Sequence, residues 1–180
     1  MKYFYSPVML FFGVVSLTFA SITPYFSPSG GCTDAIVMEL GAAQKSVLVQ
    51  AYSFTSAPIA EAVAQAKKRG CQVIVILDKS QETQRYSAAT FLRNQGIETW
   101  IDYQPAIAHS KVIIIDESTL ITGSFNFTKA AEEKNVENLL IIKGEPNVIK
   151  QYLDIFQKRK SLSRLADSIN IKSIQLKNNQ

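Results

Sequence analysis

The 180-residue chain has one histidine, and it stands two positions from a lysine in the run His109-Ser110-Lys111-Val112-Ile113-Ile114-Ile115-Asp116. An imidazole and an ammonium suit the cleavage of a phosphate ester. The first is a nucleophile or proton carrier near neutral pH, and the second is fixed positive charge. The apolar stretch after Lys111 reads as a strand, whose side chains alternate in direction and advance about 3.3 Å per residue. His109 and Lys111 therefore leave the same face, rooted about 6.6 Å apart. Asp116 is an odd number of positions from both and points to the opposite face, which suits a turn-maker better than a catalyst.

Asp116-Glu117-Ser118-Thr119 is polar and separates Val112–Ile115 from Leu120–Thr122, the pattern of a hairpin with a short loop. A turn centred between Glu117 and Ser118 sets Lys111 across from Ser124 and His109 across from Asn126. Paired residues on neighbouring strands share a face about 5 Å apart. Imidazole, ammonium, hydroxyl and carboxamide then converge on one patch, while Phe125 and Phe127 alternate into the core.

A phosphodiester is cut either by metal-activated water or by a protein nucleophile in two steps. With one histidine and no HExxH or D-x-D arrangement near it, no metal site is expected, and the covalent route needs no cofactor. In that route His109 is the nucleophile and becomes a phosphohistidine that water hydrolyses. Lys111, Ser124 and Asn126 bind the phosphate oxygens. One imidazole cannot be nucleophile and leaving-group acid in the same step, so a two-fold homodimer with a shared active site is expected, each copy supplying a His109.

The pattern H-x-K-x4-D, followed by Gly123-Ser124-Phe125-Asn126, resembles the signature of the phospholipase D superfamily. Gly123-Ser124-Phe125-Asn126-Phe127-Thr128-Lys129-Ala130-Ala131-Glu132 resembles its short, single-motif bacterial endonuclease branch. The likeness runs from about Tyr25 to Lys158. It implies the same phosphohistidine chemistry and gives Asp116 and Gly123 a place in the structural motif. It also implies that Glu137, in Val136-Glu137-Asn138-Leu139, hydrogen-bonds the motif histidine and supports its charge. Glu132 and Glu133 are the competitors, expected to be solvated on a short helix over Lys129–Lys134. Two-motif members look like two such units fused, which again points to a homodimer.

The elements that must position these groups follow from periodicity. Ile22–Phe26 is a short strand. A helix capped by Thr33 or Asp34 runs to about Gln44, and Ser46–Tyr52 is a strand. Ser56 caps a helix over Ala57–Arg69, closed by Gly70. Val73–Leu77 is an apolar strand covered on both faces, and Asp78–Tyr86 is a polar loop. Ser87–Asn94 is a helix, Ile97–Ile101 and Asn138–Ile142 are strands, and Pro146–Lys158 is a helix. Strands alternating with helices imply βαβ crossovers. The fold class is α/β: a mixed, largely parallel β-sheet flanked by helices on both faces.

The domain organisation expected is a signal peptide over residues 1–20, one catalytic domain over 21–160 and a basic, polar tail over 161–180. Lys2, the apolar segment Val8–Phe19 and Thr18-Phe19-Ala20 before Ser21 have the order of a secretory leader, implying export to a bacterial periplasm; the alternative is an uncleaved anchor. Net charge is +4, a modest excess that permits polyanion binding. Cys32 and Cys71 either pair or stay as buried thiols, and neither has C-x-x-C spacing. The leading expectation is an exported endonuclease cutting DNA, or RNA, with little sequence preference. The same site acting on phospholipid as a phospholipase D is the alternative. A non-catalytic polyanion or membrane-surface binder is a third, against which the intact motif argues.

Overall fold

β-Branched and leucine-rich runs bounded by turn residues become the strands of one mixed sheet in the computed structural model, which describes residues 20–166. The expected leader and the end of the expected tail lie outside the described residues. In chain order the elements are β1 (Ser21–Ser27), α1 (Cys32–Ala42), β2 (Ser46–Ala51), α2 (Ala57–Lys68) and β3 (Gln72–Asp78). Then come α3 (Ser80–Thr83), α4 (Ala88–Asn94), β4 (Glu98–Asp102), β5 (Lys111–Ile115) and β6 (Thr119–Gly123). The chain continues with α5 (Lys129–Glu133), β7 (Glu137–Lys143), α6 (Pro146–Leu162) and β8 (Arg164–Leu165).

Across the sheet the order is β1-β7-β6-β5-β2-β3-β4-β8. The sheet is mixed, as expected, but parallel pairing is confined to one half of it, β2–β3 and β3–β4. The other five pairings are antiparallel. The reason lies in the connection after β4. Residues 103–110 hold no helix, and a parallel partner needs a crossover of a dozen or more residues. β5 therefore enters beside β2 in the opposite direction.

Alternation along the central strands divides the core between two helical layers. Val47, Val49, Val75, Ile113, Ile115 and Ile121 face α1, α2, α4 and α5. Leu48, Ile74, Ile76, Val112, Ile114 and Leu120 face α6, which buries Ile149 and Phe156 against them. Each such aliphatic side chain contributes about 1.5–3 kcal/mol by leaving water. β5 is buried on both faces along its whole length.

Several local expectations are corrected. α1 is capped neither by Thr33 nor by Asp34. Its N-cap is Gly31, in the left-handed region at φ +78°, and the capping carboxylate is remote: Glu132 accepts from Gly31 N at 3.0 Å and Thr33 N at 2.7 Å. Glu132 thus ties α5 to α1 instead of facing solvent. The helix stops at Ala42 because Ala43 turns extended. Part of the stretch expected as a tail from Ser161 is folded, since α6 runs to Leu162 and Arg164–Leu165 pairs antiparallel with β4. Cys32 and Cys71 are buried free thiols, and burial pushes that of Cys32 up to about 11.

The hairpin also differs in register. Ile115 pairs with Thr119 and Val112 with Thr122, so the turn centres on Glu117 and the ladder, extended, sets Gly123 rather than Ser124 across from Lys111. Asp116 and Glu117 both take positive φ, 52° and 54°, a pattern usual for tight hairpin turns. Asp116 tolerates it because its carboxylate accepts three amides, Gln44 N at 2.9 Å, Lys45 N at 2.7 Å and Ser46 N at 2.8 Å.

Candidate active site

The site lies where β2 ends and β5 begins. Ala51 pairs with Lys111, and Tyr52 N donates to Ser110 O at 3.0 Å, carrying the pairing one step past the ladder. His109 is thereby set on the rim, exposed. Lys111 is only 6% exposed, yet its Nζ reaches up to the same rim. Nζ donates to His109 O at 2.7 Å and lies 3.0 Å from His109 Nδ1. The two side chains share a face, as strand alternation requires.

Tyr52 completes the first ring of contacts. Its ring centroid is 4.6 Å from that of His109, the planes inclined at 50°, and Lys111 Nζ is 5.3 Å from the tyrosine ring. The imidazole is held on one side by the phenol ring and at Nδ1 by the ammonium. No hydrogen bond among the described residues engages Nε2, which leaves that nitrogen for a substrate. Burial pushes the Lys111 pKa below its ordinary value, and the negative charge of Glu137 opposes that shift.

Ser124 and Asn126 come from the end of β6. A bulge follows Gly123: Ser124 N and Phe125 N both donate to Asn138 O, at 3.1 and 3.2 Å. Gly123 has φ +151°, and a Cβ there would stand 2.3 Å from Asn138 O, so only glycine lets β7 approach this closely. Phe125 and Phe127 are fully buried, with Phe127 edge-on to Phe54 at 5.5 Å. Anchoring these two rings turns Ser124 and Asn126 the other way, as alternation suggested. Ser124 Oγ accepts from Asn138 N at 3.0 Å and retains its own proton to donate. Asn126 Oδ1 is buried without a hydrogen-bond partner among the described residues, a state that costs about 1–3 kcal/mol; it is the amide Nδ2, not this oxygen, that can donate to a phosphate.

Glu137, the first residue of β7, accepts from Asn135 Nδ2 at 3.1 Å. No hydrogen bond joins it to His109 among the described residues; it acts on the site through its charge on Lys111. Asp116 ends the opposite end of β5, about 23 Å from His109 at strand spacing. Burial raises its pKa, but the amides of Ser46, Gln44 and Lys45 outweigh that and hold the carboxyl below its usual range. Its place is structural.

Sequence reading missed three contributors. Tyr52 stood only as the last residue of the expected strand Ser46–Tyr52. Asp78 and Gln81 fell in a stretch read as a polar loop, yet both are buried. Asp78 accepts from Ala108 N at 2.7 Å and Ser80 N at 2.9 Å. Burial raises its pKa, and those hydrogen bonds more than offset it, so the carboxyl stays below its ordinary value. A carboxylate closing the apolar run Val73-Ile74-Val75-Ile76-Leu77 of β3 was the available signal. Among the described residues, no group of three or more His, Cys, Asp and Glu side chains is placed to hold a metal ion.

Residues 36–160 match the family described as "Cardiolipin synthase, PLD-like domain". A phospholipase D of Rickettsia typhi is 38% identical over 150 residues, covering 83% of this chain and 73% of the relative. Human mitochondrial cardiolipin hydrolase is 32% identical over 123 residues, 68% of this chain and 48% of that one. The crystal structure of Nuc, a phospholipase D family member from Salmonella typhimurium, superposes with a TM-score of 0.79 at 38% identity, covering 82% of this chain and 98% of that chain. The chain belongs to the phospholipase D superfamily, in its single-motif bacterial branch. It is therefore a phosphodiester hydrolase of that superfamily.

Proposed function

We propose that the protein is an exported endonuclease that cuts DNA or RNA without a metal, through a phosphohistidine on His109, as a homodimer. The observation that carries the mechanism is the pairing of an exposed imidazole with a buried ammonium 3.0 Å from its Nδ1. An incoming phosphate draws Lys111 Nζ onto its own oxygens, a stronger partner than a neutral ring nitrogen. With Nδ1 freed, the neutral ring shifts its proton through solvent from Nε2 to Nδ1, on the side of Glu137, which leaves the Nε2 lone pair free; the Glu137 carboxylate supports the imidazolium as it forms. Nε2 then attacks phosphorus, the P–N bond forms, and the P–O bond to the leaving group breaks. Ser124 and Asn126 hold the remaining oxygens.

The leaving oxygen needs a proton. With one histidine in the chain, that proton comes from the His109 of a second copy across the same phosphate. Water then attacks the phosphohistidine, with the second imidazole as base. Nucleic acid is favoured by the open rim at His109 and Ser124, both exposed. The likeness of residues 123–132 to the endonuclease branch favours it too. Phospholipid is the second reading, and it too has an observation behind it. Exposed apolar side chains border the site: Ile107 before His109, Val136 beside Glu137, and Phe26 in register with Asn138. An acyl-rich surface would cover them.

Plasmid nicking and phosphatidylcholine hydrolysis, each in EDTA and each with His109→Ala, separate the readings. Nicking that survives chelation and disappears in His109→Ala supports the proposal. Choline release without nicking supports the lipid reading. Full activity in a protein that sediments as a monomer sinks the shared site, and N-terminal sequencing of the exported chain tests cleavage before Ser21.

A further inference from the structure

The loop that delivers His109 is tied to the neighbouring strand end, and we infer that the segment Asp78–Gln81 positions the imidazole, with Asp78 as its principal positioning residue. Asp78 closes β3 and is 3% exposed. Its Oδ2 accepts the Ala108 amide at 2.7 Å. Ala108 directly precedes His109 and is itself buried, so that N–H has no exchange partner in solvent. Holding it fixes the peptide plane one residue before the reacting side chain.

Three residues further on, Gln81 is also buried, and its Oε1 accepts Phe54 N at 3.1 Å. Phe54 lies two positions after Tyr52, whose ring packs on the imidazole at 4.6 Å. One short segment therefore grips both the backbone that carries His109 and the strand end that carries the ring beside it. Between them, Lys79 Nζ donates to Pro105 O at 3.1 Å, a second tether on the loop that carries Ala108 and His109.

The adjacent strand provides a contrast. Asp102, in register with Asp78, is bridged by the Arg159 guanidinium, with Nε at 2.8 Å from Oδ2. Asp78 has no salt bridge among the described residues and directs its charge to backbone amides instead. A buried charge directed at amides gives stiffer, shorter hydrogen bonds than a neutral acceptor. Such stiffness has value here because a displacement of about 1 Å at a reacting group lowers rate by about a hundredfold.

This inference rests on His109 being the reacting group, and its test is arranged so that the two fail separately. The single histidine gives a single imidazole NMR signal, so its environment can be followed without activity. Asp78→Ala is expected to lower kcat on bis(p-nitrophenyl) phosphate about a hundredfold, with KM within about threefold, and to shift and broaden that signal. Asp78→Asn keeps a carbonyl oxygen for the Ala108 amide and is expected to recover at least about tenfold of the loss, restoring a sharp signal. An Asp78→Ala kcat within about threefold of wild type, or an Asn variant no better than Ala, overturns the inference. If Asp78→Ala does not fold, amide exchange in the wild-type chain decides. Ala108 N–H should exchange as slowly as the β5 amides, and rapid exchange refutes the clamp. A wild-type protein inactive on every phosphodiester sinks the functional reading, while the NMR and exchange measurements still decide the clamp.

Discussion

Asp116 offers the sharpest test of how the signature residues divide between chemistry and architecture. Its carboxylate accepts the amides of Gln44, Lys45 and Ser46 at 2.7–2.9 Å, and it lies at the far end of β5 from His109. A net hydrogen bond contributes about 0.5–1.5 kcal/mol. Two of the three are solvent-exposed, so the set is taken near the lower half of that range, about 2 kcal/mol in all. Asp116→Ala also puts a methyl-bearing residue at φ +52°, adding about 1 kcal/mol. The expected loss is about 3 kcal/mol, or a fall in Tm of about 6–12 °C for a chain of this size.

Asp116→Asn tolerates the left-handed turn and keeps one acceptor, so about half of that loss is expected. The sign of the pH effect follows from the depressed carboxyl. The stabilisation is present above the unfolded pKa, about 3.9, and is lost as pH falls through the lower folded value. The Tm gap between wild type and Asp116→Asn should therefore close on the acid side of about pH 4. At neutral pH, kcat per folded molecule should be unchanged in Asp116→Asn, measured on a chromogenic phosphodiester beside a thermal melt. A wild-type Tm combined with a tenfold or greater fall in kcat would refute the reasoning and place the carboxylate in the reaction.

Lys111→Met should lower kcat at least about a hundredfold without lowering Tm, because replacing a buried charge by an apolar side chain of similar length is often neutral or stabilising. The folded pKa of Lys111 lies below its unfolded value, so the cost of keeping it charged is present at neutral pH. That cost vanishes as pH rises toward the unfolded value of about 10.4, and any Tm advantage of the methionine variant should narrow there. Gly123→Ala forces a Cβ to 2.3 Å from Asn138 O and should cost about 1–3 kcal/mol while reducing kcat. Gly41→Ala, with open space around it inside α1, should instead raise Tm slightly; equal melts for the two variants would contradict the bulge geometry.

The local chemistry of this protein was legible in the chain itself. Alternation along Lys111–Ile115 put imidazole and ammonium on one face, and the spacing of Phe125 and Phe127 turned Ser124 and Asn126 away from the core. The strands and the long helices were legible because apolar periodicity acts over a few positions, although the N-cap residues of α1, α2 and α6 make no side-chain capping hydrogen bond. What the tertiary structure decided were contacts between segments far apart in sequence, which local spacing does not encode. Glu132 caps a helix about a hundred residues away. Asp116 draws in the α1–β2 loop, and with it the turn centres on Glu117, one half-step from where the sequence pattern set it. Asp78 holds the amide before His109. The directions of β1, β5 and β8 were likewise settled by packing: a strand joined by a short, helix-free connection can only return antiparallel, and an edge strand pairs wherever unpaired N–H and C=O groups await it.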